Sequence, residues 1–289
     1  MTTIQAALNG ALVGGLFVVM AVGLSVTWGM MKIINLAHFG MILIGAYLTF
    51  QITTSWGLDP ILTLVITVPT LFAFGALLQW ALDRFSVVEF GSLLVTFGIL
   101  IITMQVVTNI WSADFQRLAA EANPYATQSV SLGRFVFPMS TLLAFAAAVV
   151  IVGGAHLALQ RTFPGRAMRA FAQDKDVASA FGIDHRRLGM LLAGVSAASA
   201  AVAGMLLALG RSLTPTAPFE LIGTVFAVVI LGGIGHVVGT LAAGVLIGMV
   251  SAVVASVWSP SLSPFVVFSV IVLALLFRPH GLFARGGVR

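Results

Sequence analysis

Few residues in this chain could do chemistry, and two clusters stand out because they lie in apolar sequence. The first is Asn35, His38, Phe39 and Gly40, shortly after Lys32. Asn35 and His38 are three apart, so a helix places them on one face. The second is Gly232, Gly233, Gly235, His236 and Gly239. So dense a glycine run interrupts a helix and leaves His236 in the interruption. A polar group at membrane depth must find a partner or face a cavity. Broken helices also free backbone N–H and C=O groups, which can hold a zwitterion without a charged side chain. Both clusters are therefore candidate lining for a solute path. The plainer alternative for the first is a capped helix start, with Asn35 and His38 bonded to nearby backbone. The shared pattern of a His followed by glycine-punctuated apolar sequence hints at an internal repeat. His156, near a span end, reads as structural.

Catalytic constellations are missing. There is no GxxxxGK[ST] phosphate loop, no HExxH and no cysteine. The five His have no metal-ligand spacing, and no carboxylate pair lies in apolar sequence. No covalent chemistry, metal or cofactor of its own is expected for this chain.

The elements that must position these residues are membrane helices. Hydrophobic residues make up 60 % of the 289, charged residues 8 %, and the mean hydropathy is +1.10. The apolar runs are continuous rather than alternating, which argues for helices and against a barrel. Nine segments are expected, at 6–30, 33–54, 60–82, 90–111, 138–159, 188–210, 220–234, 238–258 and 264–278, with 220–234 the shortest. The expectation is one all-α polytopic transmembrane domain over 1–289, with eight or nine membrane segments including short or broken ones. The first run lacks a basic lead and is too long for a signal-peptide core.

Charge placement orients this bundle. Alternating the segments puts Lys32, Arg84, Arg161, Arg166, Arg169, Lys175, Arg186, Arg187, Arg278, Arg285 and Arg289 on one side, and Arg117, Arg134 and Arg211 on the other. Positive residues favour the cytoplasmic side, so the amino terminus is expected outside and the carboxyl terminus inside. The net charge of +5 is thus a membrane signal, with lipid as the partner and no nucleic acid. Every Asp and Glu falls between the apolar runs or, as Glu220, at the very edge of one. A proton or cation relay normally needs one within them, so energy for uphill transport is expected to enter through another protein.

Two loops carry further signals. The external loop, 112–137, contains Asp114, Arg117, Glu121 and Arg134, whose charges cancel. It reads as a solvated connector or a docking site for an external partner. The cytoplasmic loop, 160–187, is the most polar part of the chain. Thr162 can cap a helix with Pro164 in its first turn, and Gly182 can end one. One or two short amphipathic helices are expected there. Phe171 and Phe181 need a surface, from either the bundle or a partner protein. Small residues such as Gly235 with Gly239, and Gly244 with Gly248, have the spacing that lets membrane helices approach closely.

Four stretches taken together resemble the branched-chain amino-acid-type ABC transporter permeases, in particular the smaller of the two permease subunits. They are GLSVTWGMMKIINLAH (23–38), FPGRAMRAFAQDKDVASAFGIDHRRL (163–188), VVILGGIGHVVGTLAAGVLIG (228–248) and LLFRPHGLFARG (275–286). They run in the family's order and span nearly the whole chain. The resemblance implies a permease subunit in the bacterial inner membrane, working by ATP-driven alternating access. It implies a second, related permease, two cytoplasmic ABC ATPase subunits that bind the ATP, and a periplasmic solute-binding protein. It makes 160–187 the coupling element, with Asp174, Asp176, Ala178, Gly182 and Ile183 at its recurrent positions and Phe171 and Phe181 as further contacts for the ATPase. The chain departs from the family where a Gly-Glu pair usually follows the His. Here Phe39 and Gly40 follow His38, which points to a less polar or larger solute. His236 likewise stands where the family has Ser. The alternatives are a self-sufficient secondary transporter or facilitator, which needs no ATPase, and a membrane scaffold.

Overall fold

The structure, a computed structural model, describes residues 3–85 and 89–277, without the side chains of 89, 90, 175 and 176. Arg278, Arg285 and Arg289 therefore lie outside the described residues. The long apolar runs become α1 (Thr3–Met31), α2 (Ala37–Trp56), α3 (Leu64–Arg84), α4 (Glu89–Trp111), α6 (Met139–Arg161), α9 (His185–Gly210), α10 (Ala217–Gly232), α11 (Val237–Val257) and α12 (Ser263–Phe277). Among the described residues, seven helical stretches are long and apolar enough to cross a membrane; α2 and the shorter α10 are the other two apolar helices. The fold is an all-α polytopic bundle, as the continuous hydropathy dictates.

Three short elements fill the loops: α5 (Pro124–Thr127), then α7 (Phe163–Gln173) and α8 (Lys175–Ala180). Segment 112–137 is more ordered than a solvated connector. It also holds an antiparallel hairpin of β1 (Ser129–Leu132) and β2 (Phe135–Pro138), turned at Gly133 with φ 62°. The loop is also tied down at several points. Gln5 Nε2 donates to Val136 O at 2.7 Å. Asn123 Nδ2 donates to Leu209 O at 3.0 Å. Gln116 and Leu213 form a two-bond antiparallel bridge.

Each boundary has a local cause. Lys32 ends α1 in the left-handed region, at φ 56°, with its N–H on Trp28 O at 2.9 Å. Its positive charge then lies at the negative end of the helix dipole. Asp59 Oδ1 accepts from Ile61 N at 2.8 Å, which sets the turn into α3. Asp184 caps α9 by accepting from Arg186 N and Arg187 N. Thr162 caps α7 by accepting from Gly165 N at 3.1 Å, with Pro164 in the first turn, as the sequence predicts.

Packing is organised by small residues. A Cβ on Gly10 would stand 2.5 Å from Gly248 O, and Gly14 abuts Gly244, so α1 and α11 run antiparallel with backbones in contact. A Cβ on Gly75 would stand 2.5 Å from Ala197 Cβ and 2.7 Å from Ala193 O, which brings α3 onto α9 in the same way. The two pairings correspond. The stretch GALVGGL at 10–16 lines up with GMLLAGV at 189–195, so Gly10 and Gly14 match Gly189 and Ala193. The partners follow suit: α1 packs chiefly on α11, α9 on α3 and α2 on α9, and α10 touches α1 after its chain neighbour α11. The chain thus contains two related units, α1–α4 and α9–α12. His38 of α2 meets Ser196 of α9, and Gly45 meets Ala200 and Ala201, so α2 runs parallel to α9 and α1 runs opposite to it. The repeat is inverted. It pairs α2 with α10 and α3 with α11, which corrects the register suggested by the two His–Gly stretches. Those resemble each other because each follows a helix break.

Candidate functional site

The first cluster begins at a break but does not form one helical face. Residues 32–36 are non-helical and α2 starts at Ala37, so Asn35 lies in the connector and not one turn from His38 on the helix. The connector is held by Leu36 N donating to Thr96 Oγ1 of α4 at 3.0 Å. The Asn35 carbonyl accepts from His38 N at 3.3 Å, while Asn35 Oδ1 is buried with no hydrogen-bond partner. A buried amide oxygen without a donor is a latent acceptor.

His38 is 1 % exposed and ties three helices together. Its Nε2 lies 2.9 Å from Met20 O of α1, and its Nδ1 lies 3.3 Å from Ser196 Oγ of α9. A carbonyl can only accept, so Nε2 carries the proton and Nδ1 accepts from the serine hydroxyl. Phe39 is buried and stacks on Phe226 of α10, with centroids 6.1 Å apart; Phe226 in turn meets Trp28 of α1 at 5.8 Å. Phe39 therefore faces the bundle interior rather than lipid. Gly40 lies against Thr103, where a Cβ would stand at 3.3 Å.

The second cluster is a true interruption. Gly232 ends α10, residues 233–236 are non-helical, and Gly233 and Gly235 take φ of 88° and 80°. The chain reverses so tightly that a Cβ on Gly232 would stand 2.7 Å from Thr240 Cα. His236 Nδ1 accepts from Gly239 N at 3.0 Å and so caps α11, a structural role for that ring. Gly235 packs directly on Gly29 of α1, and Gly235 N donates to Ser25 Oγ at 3.2 Å.

The fold thus brings both clusters alongside the second half of α1, His38 at Met20 and Gly235 at Ser25 and Gly29. One break follows α1 in the chain, the other packs on its last turns, and the aromatic stack joins them. Sequence reading missed Ser25, Trp28, Thr96, Ser196 and Phe226. Serines and threonines inside apolar runs were the available signal, because each hydroxyl there needs a partner.

At the end of α1 lies the segment 160–187. Met168 and Phe171 of α7 share a cavity of about 90 Å³ with Met30, Met31, Asp83 and His185, and the Phe171 ring stacks on His185 at 6.2 Å. Phe171 is half-buried against the bundle, whereas Phe181 is 84 % exposed. Asp174 Oδ1 accepts from Val177 N at 3.0 Å and caps α8. Ala178 is buried. Gly182, at φ 80°, donates to Ser179 O at 3.0 Å, and Ile183 N donates to Ala178 O at 3.3 Å, the expected helix stop. The Asp176 side chain lies outside the described residues.

The opposite end of the bundle holds the ordered loop. Tyr125 Oη donates to Asp59 Oδ2 at 2.8 Å, and that hydrogen bond, followed by burial and the carboxylate charge, raises the phenol's pKa. A separate trough of about 420 Å³ runs between α1, α6, α7 and α9. None of the residues singled out for a solute path lines it.

An inverted-repeat helical bundle with glycine breaks at one end defines a multi-pass membrane transport protein. The chain matches, over residues 6–275, the family described as branched-chain amino acid transport system, permease component, and it belongs to that family. It is 28 % identical to the high-affinity branched-chain amino acid transport system permease protein BraD of Pseudomonas aeruginosa, over 98 % of this chain and 96 % of that protein. It is 27 % identical to LivH of Escherichia coli K12, with the same coverage. It is 25 % identical to the probable permease protein LivH of Methanocaldococcus jannaschii, over 95 % of this chain and 91 % of that one. No solved structure matches.

Proposed function

We propose that this chain is the permease subunit of an ABC importer in a bacterial inner membrane. It carries a branched-chain amino acid or a related small solute by ATP-driven alternating access. The observation that carries this reading is the segment 160–187. Its two capped helices lie across one end of the bundle. Phe171 anchors them beside Met30 and Met31 at the end of α1, and Phe181 is left exposed for a partner. That end carries the excess of basic residues, so it is the cytoplasmic one. Two ATPase subunits would seat on α7 and α8, and their closure would move the end of α1, whose second half carries both breaks. A second, related permease would complete the membrane part, and a periplasmic solute-binding protein would dock on the ordered external loop. Asn35 Oδ1 and the backbone of 232–236 supply the polar contacts for solute.

The test is ATP-loaded vesicles containing the whole complex. Uptake should persist when an uncoupler dissipates the ion gradients, because the acidic residues of the long helices, Asp83, Glu89 and Glu220, lie in terminal turns and none lies mid-span to couple to them. Uptake by this chain alone, or its collapse with the gradient at constant ATP, would mark a secondary transporter. Asn35→Leu and Gly233→Leu should reduce uptake while the ATPases still co-purify. Gly182→Val should leave the complex assembled and separate ATP hydrolysis from uptake. No side chain crowds Gly182, so its effect arises from φ 80° alone, a conformation a β-branched residue resists.

A further inference from the structure

We propose that the trough between α1, α6 and α9 holds one acyl chain of an anionic phospholipid, whose phosphate sits at Arg161 and Arg169 beside the start of α7. This rests on the reading above for one point, that α7 lies at the cytoplasmic face. The trough encloses about 420 Å³, and apart from Thr162, Ser196 and Ser199 its lining is apolar. It opens sideways between α6 and α9, where Leu191 is 39 % and Val195 53 % exposed.

Its dimensions select the occupant. Along α6 and its C-cap the lining runs from Ile151 to Thr162, about 16 Å at 1.5 Å per residue. That is roughly half of a ~30 Å hydrocarbon core. Dividing the volume by the length gives a section of about 26 Å². A helix of ~10 Å diameter is far too wide for it, and a single alkyl chain fits. A zwitterionic solute would lose its water to a nearly apolar wall, which disfavours it. The mouth supplies the charge for a headgroup. Thr162, Pro164, Gly165 and Met168 line it, and the exposed Arg161, Arg166 and Arg169 are chain neighbours of those residues. No Asp or Glu occurs from Met139 to Gln173. Arg166 Nη1 donates to Arg161 O at 3.0 Å, which leaves Arg161 and Arg169 as the phosphate contacts. Basic pockets at the cytoplasmic ends of membrane helices have this chemistry. The lipid would thus wedge against α7, the same helix that Phe171 anchors.

The absence of cysteine makes the test clean. Leu157, exposed on α6 beside the trough, is replaced (Leu157→Cys) and labelled with a fluorophore in the full-length chain. The protein is reconstituted in phosphatidylcholine liposomes doped with brominated-acyl phosphatidylglycerol or brominated-acyl phosphatidylcholine. The expected result is quenching by the anionic lipid at a mole fraction roughly tenfold lower, the effect of one or two arginines near an anionic headgroup. Arg161→Ala with Arg169→Ala should bring the two curves together, and Ala155→Trp should abolish the tight quenching by filling the trough. Coincident curves in the parent protein overturn the proposal, whatever the folding of the arginine variant. So does a cross-link from the unlabelled Leu157→Cys variant to a second membrane subunit with no lipid quenching, which would make the trough a protein interface. No ATPase is present, so failure of ATP-driven uptake leaves this result standing. Uptake without lipid preference would remove the lipid site alone.

Discussion

Single side chains set which helices are held and how tightly. His38 looked in the sequence like a solute contact, yet its ring spends both nitrogens on Met20 O and Ser196 Oγ. His38→Ala should therefore lower thermal stability in detergent, at about 1 kcal/mol per lost interhelical bond. A melting curve unchanged from the parent would show that the ring is not a tie. Tyr125 gives a pH effect at the end of the bundle away from α7. Its folded pKa is raised, so the Asp59 bond contributes stability that is complete below the unfolded value, about 10, and is lost as pH rises through the folded one. Limited proteolysis of 112–137 should accelerate in that alkaline window, and in Tyr125→Phe the step should vanish. Asn35, by contrast, was legible as a polar outlier in apolar sequence. That it precedes the helix was not, because only Thr96 on a distant segment fixes where α2 begins.

Helices and caps were largely legible, and the contacts between helices were not. Thr162, Pro164 and Gly182 announce α7 and α8 because capping chemistry is local. The hairpin at 129–138 escaped notice. Its four-residue strands alternate weakly and are held by Gln5, which is 131 positions away from Val136. Small-residue spacing foretold close approach without naming partners. The structure assigns Gly29 to Gly235, and Gly10 and Gly14 to α11. Gly14→Val should separate α1 from α11 and destabilise the protein by about 1–3 kcal/mol, as overpacking does in dense interiors. Gly98→Ala and Gly153→Ala meet open space and should be neutral. Equal melting temperatures for all three would remove the backbone contact between α1 and α11.

At the scale of the molecule, the inverted repeat was hidden. The units share little more than GALVGGL and GMLLAGV, and the identity of their partners emerges only in three dimensions. Hydropathy nevertheless specified the class, since continuous apolar runs leave the chain few folds. The sidedness of the bundle is open to a direct measurement. Gln116 and Leu213 exchange two backbone bonds, at 3.0 and 2.7 Å, so their Cα atoms lie about 5.5 Å apart, within disulfide range. Gln116→Cys with Leu213→Cys should cross-link in intact cells under a membrane-impermeant oxidant. A bond that forms only after permeabilisation would reverse the orientation.

The length of α10 has a consequence for the bilayer itself. Its 16 residues span about 24 Å, short of the ~30 Å hydrocarbon thickness. In the turn that follows, residues 233–236, the one large apolar side chain available to lipid is Ile234, 45 % exposed. Around this helix the membrane must therefore thin, or water must reach the turn, at fractions of a kcal/mol per ångström of hydrophobic mismatch. Because that cost differs between conformations that tilt α10 and those that do not, acyl-chain length becomes a control on transport. Uptake in proteoliposomes should peak with lipids of one thickness and fall on either side, whereas an insensitive rate would mean that neighbouring helices shield α10 throughout the cycle.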